Sequence, residues 1–523
     1  MIFATCVALA FAAPGLTVDK LRTEYLVNPI GIEERAPRFF WVLDSQQNGQ
    51  LQTAYRVLVA SKPELLDRDR ADLWDSGKVV SQDTIQVEYK GRPLRSRERA
   101  WWKVLVWDKN GAVAKPAKPA FFEMGLLNRS DWKAKWIGMP DRATPQVDPK
   151  MAKWIWYPEG EPQRDAPQGD RWFRNSFEIN DTVTGAELVL AVDDNASVTL
   201  NGVNLGDYTS WTDFSAVKGF REALRQGRND LVIKAHNGGS RAGLFVSGQV
   251  VTGPTDPRMK RPSRLMMLNS NSHWEASKDG QNWVNARELA SFGGAPYGVT
   301  KFGAKPQPAP MMRRQFEVRG PVKRARVYAS ARGLYELYLD GKKVSTDVFR
   351  PGWTDYKKRI QYQAYDVTKQ LSRGEHAIGM IVGDGWYVGH VAWAGRQNYG
   401  PKAMGLAQLE IDYADGSRET VVTDNAWAGL IGMSQESYGG PIQSSDLLMG
   451  ENYDARLEMP LWAQRWPNNA RIGGFANVVE EPIGAVPLVP QVNEPVRVLE
   501  VLSAKKVTEP KAGAFVFDLG QNM

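Results

Sequence analysis

Arg313-Arg-Gln-Phe316-Glu317-Val318, then Leu339-Asp340-Gly341, then Leu371-Ser-Arg-Gly374-Glu-His376-Ala-Ile378-Gly-Met380 decide the fold, because the stretch Arg313 to Val382 is written twice. The earlier writing, Arg174 to Lys234, runs Arg174-Asn-Ser-Phe177-Glu178-Ile179, Leu200-Asn201-Gly202 and Leu224-Arg-Gln-Gly227-Arg-Asn229-Asp-Leu231-Val-Ile233. From Phe177 to Leu200 and from Phe316 to Leu339 the step is 23 residues in both. Between the two glycines it is 25 in the first (202 to 227) and 33 in the second (341 to 374). Equal spacing followed by an insertion is how two copies of one domain diverge, since loops absorb length and strands do not.

Each copy reads as antiparallel β. Val198-Thr-Leu200 and Tyr335-Glu-Leu337-Tyr-Leu339 alternate as half-buried strands do. Asn201-Gly202 and Asp340-Gly341 are two-residue hairpin signals, because such turns need positive φ at both central residues. Two sheets must cover each other's apolar faces, so jelly-roll-type sandwiches are expected over 131–303 and 306–484.

A chain of 523 residues is too long for one core and implies roughly three or four domains. The 48 glycines, 31 prolines and 19 tryptophans suit a turn-rich, aromatic-rich β protein. A net charge of +7 is spread over 66 basic and 59 acidic residues, and the densest basic spot, Lys260 to Arg264, falls in a linker. No aromatic-basic interleaving accompanies it, so nucleic acid is not an expected partner. Ile2 to Ala13 is an apolar run ending in small residues before Pro14-Gly15. It reads as the core and cleavage region of a signal peptide within 1–15, or alternatively as a buried first strand. It is too short to span a bilayer, and the single cysteine, Cys6, lies inside it. An exported protein, periplasmic or secreted, without a membrane span is the expectation.

Between 21 and 127 strand-like runs recur between turns: Arg38 to Leu43, Ala54 to Val59, Thr84 to Val87 and Trp101 to Trp107. That is the profile of a fibronectin- or immunoglobulin-like sandwich, with its aromatics in the core. Here a resemblance begins. Glu24-Tyr25-Leu-Val-Asn28-Pro29-Ile-Gly31, Leu73-Trp74-Asp75-Ser76-Gly77-Lys78, Phe122-Glu123-Met124-Gly125, Trp132 to Gly138 and Phe517-Asp518-Leu519-Gly520-Gln521-Asn522-Met523 are similar to bacterial α-L-rhamnosidases. The likeness covers nearly the whole chain. It implies an all-β chain of consecutive sandwiches, with 485–523 the truncated start of a further β domain. It also implies that the family's catalytic (α/α) barrel is absent, so that no catalytic residue is expected here.

In the first copy Asp193-Asp194-Asn195 directly precedes a strand, and Asn237-Gly238-Gly239 closes another. Oxygen donors at a strand mouth suit Ca²⁺, and such clusters equally serve as turn formers. This domain resembles the rhamnose-binding module of some family members. The resemblance implies that Asp193, Asp194 and Asn237 bind calcium and sugar, that Trp211 lies beside the sugar, and that Ala242 offers only a backbone carbonyl. Asp194, where Asn is also seen, and Gly239-Ser240-Arg241 depart from that pattern. In the second copy Ala329-Ser330-Ala331-Arg332 stands where the acids stood, so no metal is expected. Its distinctive stretch, Gly383-Asp384-Gly385-Trp386-Tyr387-Val-Gly389, resembles a Gly-Asn-Gly-Trp-Tyr loop of the family, with Asp384 in place of Asn. Trp386 and Tyr387 are then either cleft-lining residues or part of a packed loop.

The four histidines show no paired metal spacing, and no phosphate loop, Gly-x-Ser-x-Gly elbow or dinucleotide fingerprint occurs. Two functions follow. One is the N-terminal portion of an α-L-rhamnosidase acting with inversion on rhamnose-containing glycosides or polysaccharides, with a C-terminal catalytic domain as its partner. The other is a non-catalytic, multi-domain carbohydrate-binding protein.

Overall fold

The computed structural model describes residues 15–140, 147–253, 264–298, 301–302, 306–392, 395–430, 440–466 and 474–521. Two compact units emerge, one from 141–305 and one from 1–140 with 306–523. The signal-like run 1–14 and the basic spot 260–263 lie outside the described residues.

In the larger unit, the N-terminal sandwich sets strands Thr17–Thr23, Arg38–Asp44 and Val87–Glu88 against a sheet built on Gln52–Ala60, Arg99–Asp108 and Ala120–Met124. Of the expected run Thr84 to Val87 only its last residue is strand. Trp41 and Trp102 are almost wholly buried between the sheets. Each indole N–H finds an acceptor, Gln52 Oε1 and Thr23 Oγ1, both at 3.0 Å, which removes the cost of burying it.

The second sandwich of this unit faces one sheet containing Val322–Arg332, Ile360–Asp366 and Met404–Tyr413 with another containing Met311–Val318, Leu334–Leu339 and Gly374–Gly383. Trp136–Gly138, which the sequence reading placed at the start of the first jelly roll, pairs instead with Met404–Tyr413. Leu488–Pro490, from the stretch read as a further domain, runs parallel to Ile360–Asp366.

The smaller unit is built around Val183–Leu200, an 18-residue strand. Up to Asp193 it pairs with Gly243–Thr252, and from Asn195 onward with Gly227–Asn237. One strand thus serves both layers and changes neighbour at Asp193-Asp194. Trp156, Phe173 and Trp274 fill one core at no exposure, and Trp154 fills a second with Phe245 and Tyr297; truncating a side chain of that size costs about 3–5 kcal/mol.

The pairing registers establish the duplication in three dimensions. Phe177 faces Asn229 and Leu200 faces Leu231, while Phe316 faces His376 and Leu339 faces Ile378. Both hairpins have the expected geometry, with φ of 53° and 83° at Asn201-Gly202 and 48° and 79° at Asp340-Gly341. Each turn is tied to the same neighbouring strand. Asn201 Nδ2 donates to Asn229 Oδ1 at 2.8 Å, and at the equivalent positions the Asp340 carboxylate lies 2.6 Å from His376 Nδ1. The late strands Glu275–Ser277 and Ala428–Leu430 return to equivalent places, opposite Arg174 and Arg313.

Candidate functional site: two equivalent sandwich mouths

Where a strand changes sheets its backbone turns a corner, and side chains there project from the end of the sandwich rather than into its core. In the first copy that corner is Asp193-Asp194. The two carboxylates share a cavity of about 240 Å³ with Trp211, Gly239, Ser240, Arg241, Pro296 and Tyr297. Burial, and then the neighbouring Asp194 carboxylate, push the Asp193 carboxyl up to about 6. Asp194 Oδ2 accepts the Gly238 N–H at 2.7 Å, so the acidic pair is joined directly to the glycine loop. Trp211 is 40% exposed. Tyr297 lies flat on Trp154 at 4.1 Å, and its hydroxyl donates to the Ala242 carbonyl at 2.6 Å.

Sequence reasoning therefore named three residues that come together, Asp193, Asp194 and Trp211. Asn237 is the fourth, and it has a different place. It is fully buried and does not line the cavity. Its amide donates to the carbonyls of Ala166 and Pro167 at 3.0 and 3.2 Å, and its Oδ1 accepts the Gly239 N–H at 3.2 Å. It holds the loop rather than facing the pocket. His236, next to it, pairs with Asp170 at 2.7 Å. Among the described residues no three His, Cys, Asp or Glu side chains converge as a metal cluster. The charged donor set for a hard cation in this cavity is thus two carboxylates, with the Arg241 cation in the same wall. Sequence reading marked Arg241 only as part of a departing loop and missed Pro296 and Tyr297. The latter two come from a remote turn, and only its Gly-Gly-Ala-Pro-Tyr composition marks it.

The second copy's corner is Arg332-Gly333, where strand pairing passes from Met404–Tyr413 to Gly374–Gly383. By register Asp384-Gly385 stands where Asn237-Gly238 stood, so the Gly-Asp-Gly-Trp-Tyr loop occupies the equivalent mouth. The glycines are required here. Gly385 has φ of 53°, and a Cβ on it would lie 2.8 to 3.0 Å from Leu334 and Gly333. Asp384 is buried, and burial raises its carboxyl despite an ion pair to Arg396 at 2.6 Å. Arg396 also reaches Asp446 at 2.8 Å. Burial alone would raise the Asp446 carboxyl, but hydrogen bonds from His390 and the backbone hold it at about 2. Tyr387 packs edge-on against Tyr356 at 5.3 Å. Trp386 is half-buried and stacks on Trp353 at 6.1 Å and 13°. Trp353, unforeseen from sequence although Pro351-Gly352 presents it, is 55% exposed. The loop is therefore packed, and its exposed aromatic face is the ring laid on Trp386.

Fold and site define a chain of tandem β-sandwiches with a small acidic and aromatic cavity at one sandwich mouth. Residues 320–500 match the family described as alpha-L-rhamnosidase N-terminal domain, and 18–128 match the Rha78A-like N-terminal immunoglobulin domain. An α-L-rhamnosidase of Streptomyces avermitilis is 38% identical over 97% of this chain and 49% of its own length. One from Formosa agariphila is 27% identical over 96% of this chain and 37% of its own. The crystal structure of the Streptomyces avermitilis α-L-rhamnosidase complexed with L-rhamnose superposes with a TM-score of 0.76 at 36% identity, covering 97% of this chain and 49% of that one. The chain belongs to the α-L-rhamnosidase family, of which it carries the N-terminal portion. It spans about half the length of the Streptomyces relative.

Proposed function

We propose that this chain is the glycan-engaging β portion of an exported α-L-rhamnosidase, with the mouth of the first copy as its sugar site. The observation that carries this is the convergence of Asp193, Asp194 and Trp211 on one cavity at a sandwich corner. Carboxylates accept hydroxyl hydrogen bonds, and a flat indole suits the apolar face of a pyranose. Asp193 and Asp194 are the residues that would hold a Ca²⁺, which would add positive charge and further coordination for sugar hydroxyls. Asn237 acts behind them by fixing the glycine loop.

In this reading the longer protein hydrolyses terminal α-L-rhamnosyl bonds with inversion, using an acid and a base ~6.5–9.5 Å apart to leave room for water. Both carboxylates lie outside these 523 residues, and this chain alone turns nothing over. Among the described residues no helix is long and apolar enough to cross a membrane. The second reading, a carbohydrate-binding protein without catalysis, draws on the same pocket. Calorimetry with L-rhamnose and an aryl-rhamnoside assay on the purified chain test the proposal. Binding without turnover is expected. Turnover abolished by one Asp or Glu substitution within the chain would overturn it.

A further inference from the structure

A cavity of about 910 Å³ in the larger unit lies where the N-terminal sandwich meets the second one. Five arginines line it: Arg97 and Arg99 from the first sandwich, and Arg324, Arg326 and Arg418 from the second. Lys323 and Lys369 stand in the same wall. Against these seven cations the lining holds three carboxylates, Glu98, Asp366 and Asp412.

Much of this charge is structural. Glu123 and Glu410, behind the wall, take Arg326 and Arg97 in two-pronged pairs at 2.5 to 3.1 Å. Those pairs fix the arginine floor. They do not neutralise the cavity, because Lys323 and Lys369 are exposed and form no ion pair among the described residues. Arg418 commits its Nε to Asp412 at 2.6 Å, and its Nη1 lies 3.9 Å from Glu410. Trp101 adds an apolar surface, with the Arg99 guanidinium 5.7 Å above its ring. Ser61, Thr368 and Gln370 add neutral hydrogen-bonding groups.

We infer that this junction cavity is a second glycan site, distinct from the sandwich mouth, and that it takes a saccharide chain bearing carboxylates. Free ammonium groups at the rim and fixed guanidiniums in the floor recognise carboxylates at several points along a chain. Trp101 offers a face for a sugar ring. A neutral oligosaccharide would leave the Lys323 and Lys369 ammonium groups unmatched, since each of the five arginines already has a carboxylate partner. The inference rests on the reading of this chain as glycan-engaging, but it uses none of the residues of the Asp193 pocket.

The test is calorimetry of the full 523-residue chain with tetragalacturonate, with a neutral galactose tetramer of equal length and with a short duplex DNA, at low and high salt. Saturable galacturonate binding that weakens with salt, as screened charges must, is expected, with none to the neutral tetramer. The exposed double variant Lys323→Glu with Lys369→Glu should fold unchanged and lose at least tenfold in affinity. Asp194→Ala should retain galacturonate binding even if rhamnose binding is absent, which separates failure of the two sites. No galacturonate binding at low salt, full binding by the double variant, or tighter binding to DNA would overturn the inference.

Discussion

Glu123 of the N-terminal sandwich and Arg326 of the second form a two-pronged ion pair, Oε1 to Nε at 2.8 Å and Oε2 to Nη2 at 3.1 Å, with the Glu123 side chain wholly out of solvent. Arg99 reaches the same carboxylate at 2.9 Å. Removing Glu123 leaves the buried Arg326 charged with its Nε and Nη2 without the acceptor they had, only its Nη1 keeping Asp366 at 2.8 Å. Glu123→Ala should therefore lower stability by about 3–5 kcal/mol. Asp75→Ala, which breaks the solvent-exposed Arg56–Asp75 pair at 2.6 Å, should cost no more than about 1 kcal/mol. Urea midpoints of the two variants measure the difference, and equal midpoints would show that the buried pair contributes no more than the exposed one.

Glu33 gives the fold a pH dependence. Its Oε1 accepts the Tyr362 hydroxyl at 2.8 Å, and burial raises its carboxyl from 4.5 to about 7. Between those values the native state holds a proton that the unfolded chain has released, so stability falls as pH rises and levels off above about 7. Asp193, raised to about 6, works in the same direction over a lower window. Glu33→Gln should flatten the melting temperature between pH 6 and 7 while leaving the Asp193 contribution in place. A variant profile that still falls across that interval would assign the slope to another group.

The sandwich class and the duplication were legible because they rest on local signals: alternating strands, two hairpin turns and equal spacing between Phe177 and Leu200 and between Phe316 and Leu339. Asp193 and Asp194 were legible because they are adjacent in sequence at a strand break. Asn237 was misplaced because its residue type suits a ligand as well as a loop anchor, and only the carbonyls of Ala166 and Pro167 decide between them. Tyr297 and Trp353 were not legible, since each enters its site from a turn remote in sequence, and Arg396, only 12 residues from Asp384, was not legible because no local pattern pairs the two. The same holds for Trp136–Gly138, whose strand partner lies more than 250 residues away.

The stacked pair Trp353 and Trp386 should separate a packing role from a surface role. Trp353 is 55% exposed, and its truncation to alanine should change stability by no more than about 0.5 kcal/mol. Trp386 is half-buried beside Tyr387 and Tyr399, and Trp386→Ala should cost about 1–3 kcal/mol. In a longer protein carrying this region, Trp353→Ala should weaken glycan binding or domain docking without changing the melting temperature. Unchanged kinetics and unchanged stability in that protein would leave Trp353 as an idle surface ring.

The calcium proposal carries its own control, because the second copy has no acids at the equivalent corner. Asp193 and Asp194 occupy the corner of the first sandwich, and by register Arg332 and Gly333 occupy that of the second. A cation that binds the folded first copy and not the unfolded chain raises its stability by mass action, by about 2.7 kcal/mol at a hundredfold excess over Kd. The gain should appear in the melting of the 141–305 unit. Asp194→Ala should abolish it, but that change also strips the acceptor from the Gly238 N–H and so disturbs the loop by itself. Asp193→Asn keeps the shape of the corner and removes one charge, so it should lose the calcium response with the loop intact. Rhamnose binding should then fall with Asp193→Asn or with chelator, and weaken with Trp211→Ala. A calorimetric trace that shows neither calcium binding nor a calcium-dependent rhamnose isotherm would make the acidic pair a turn that caps the glycine loop.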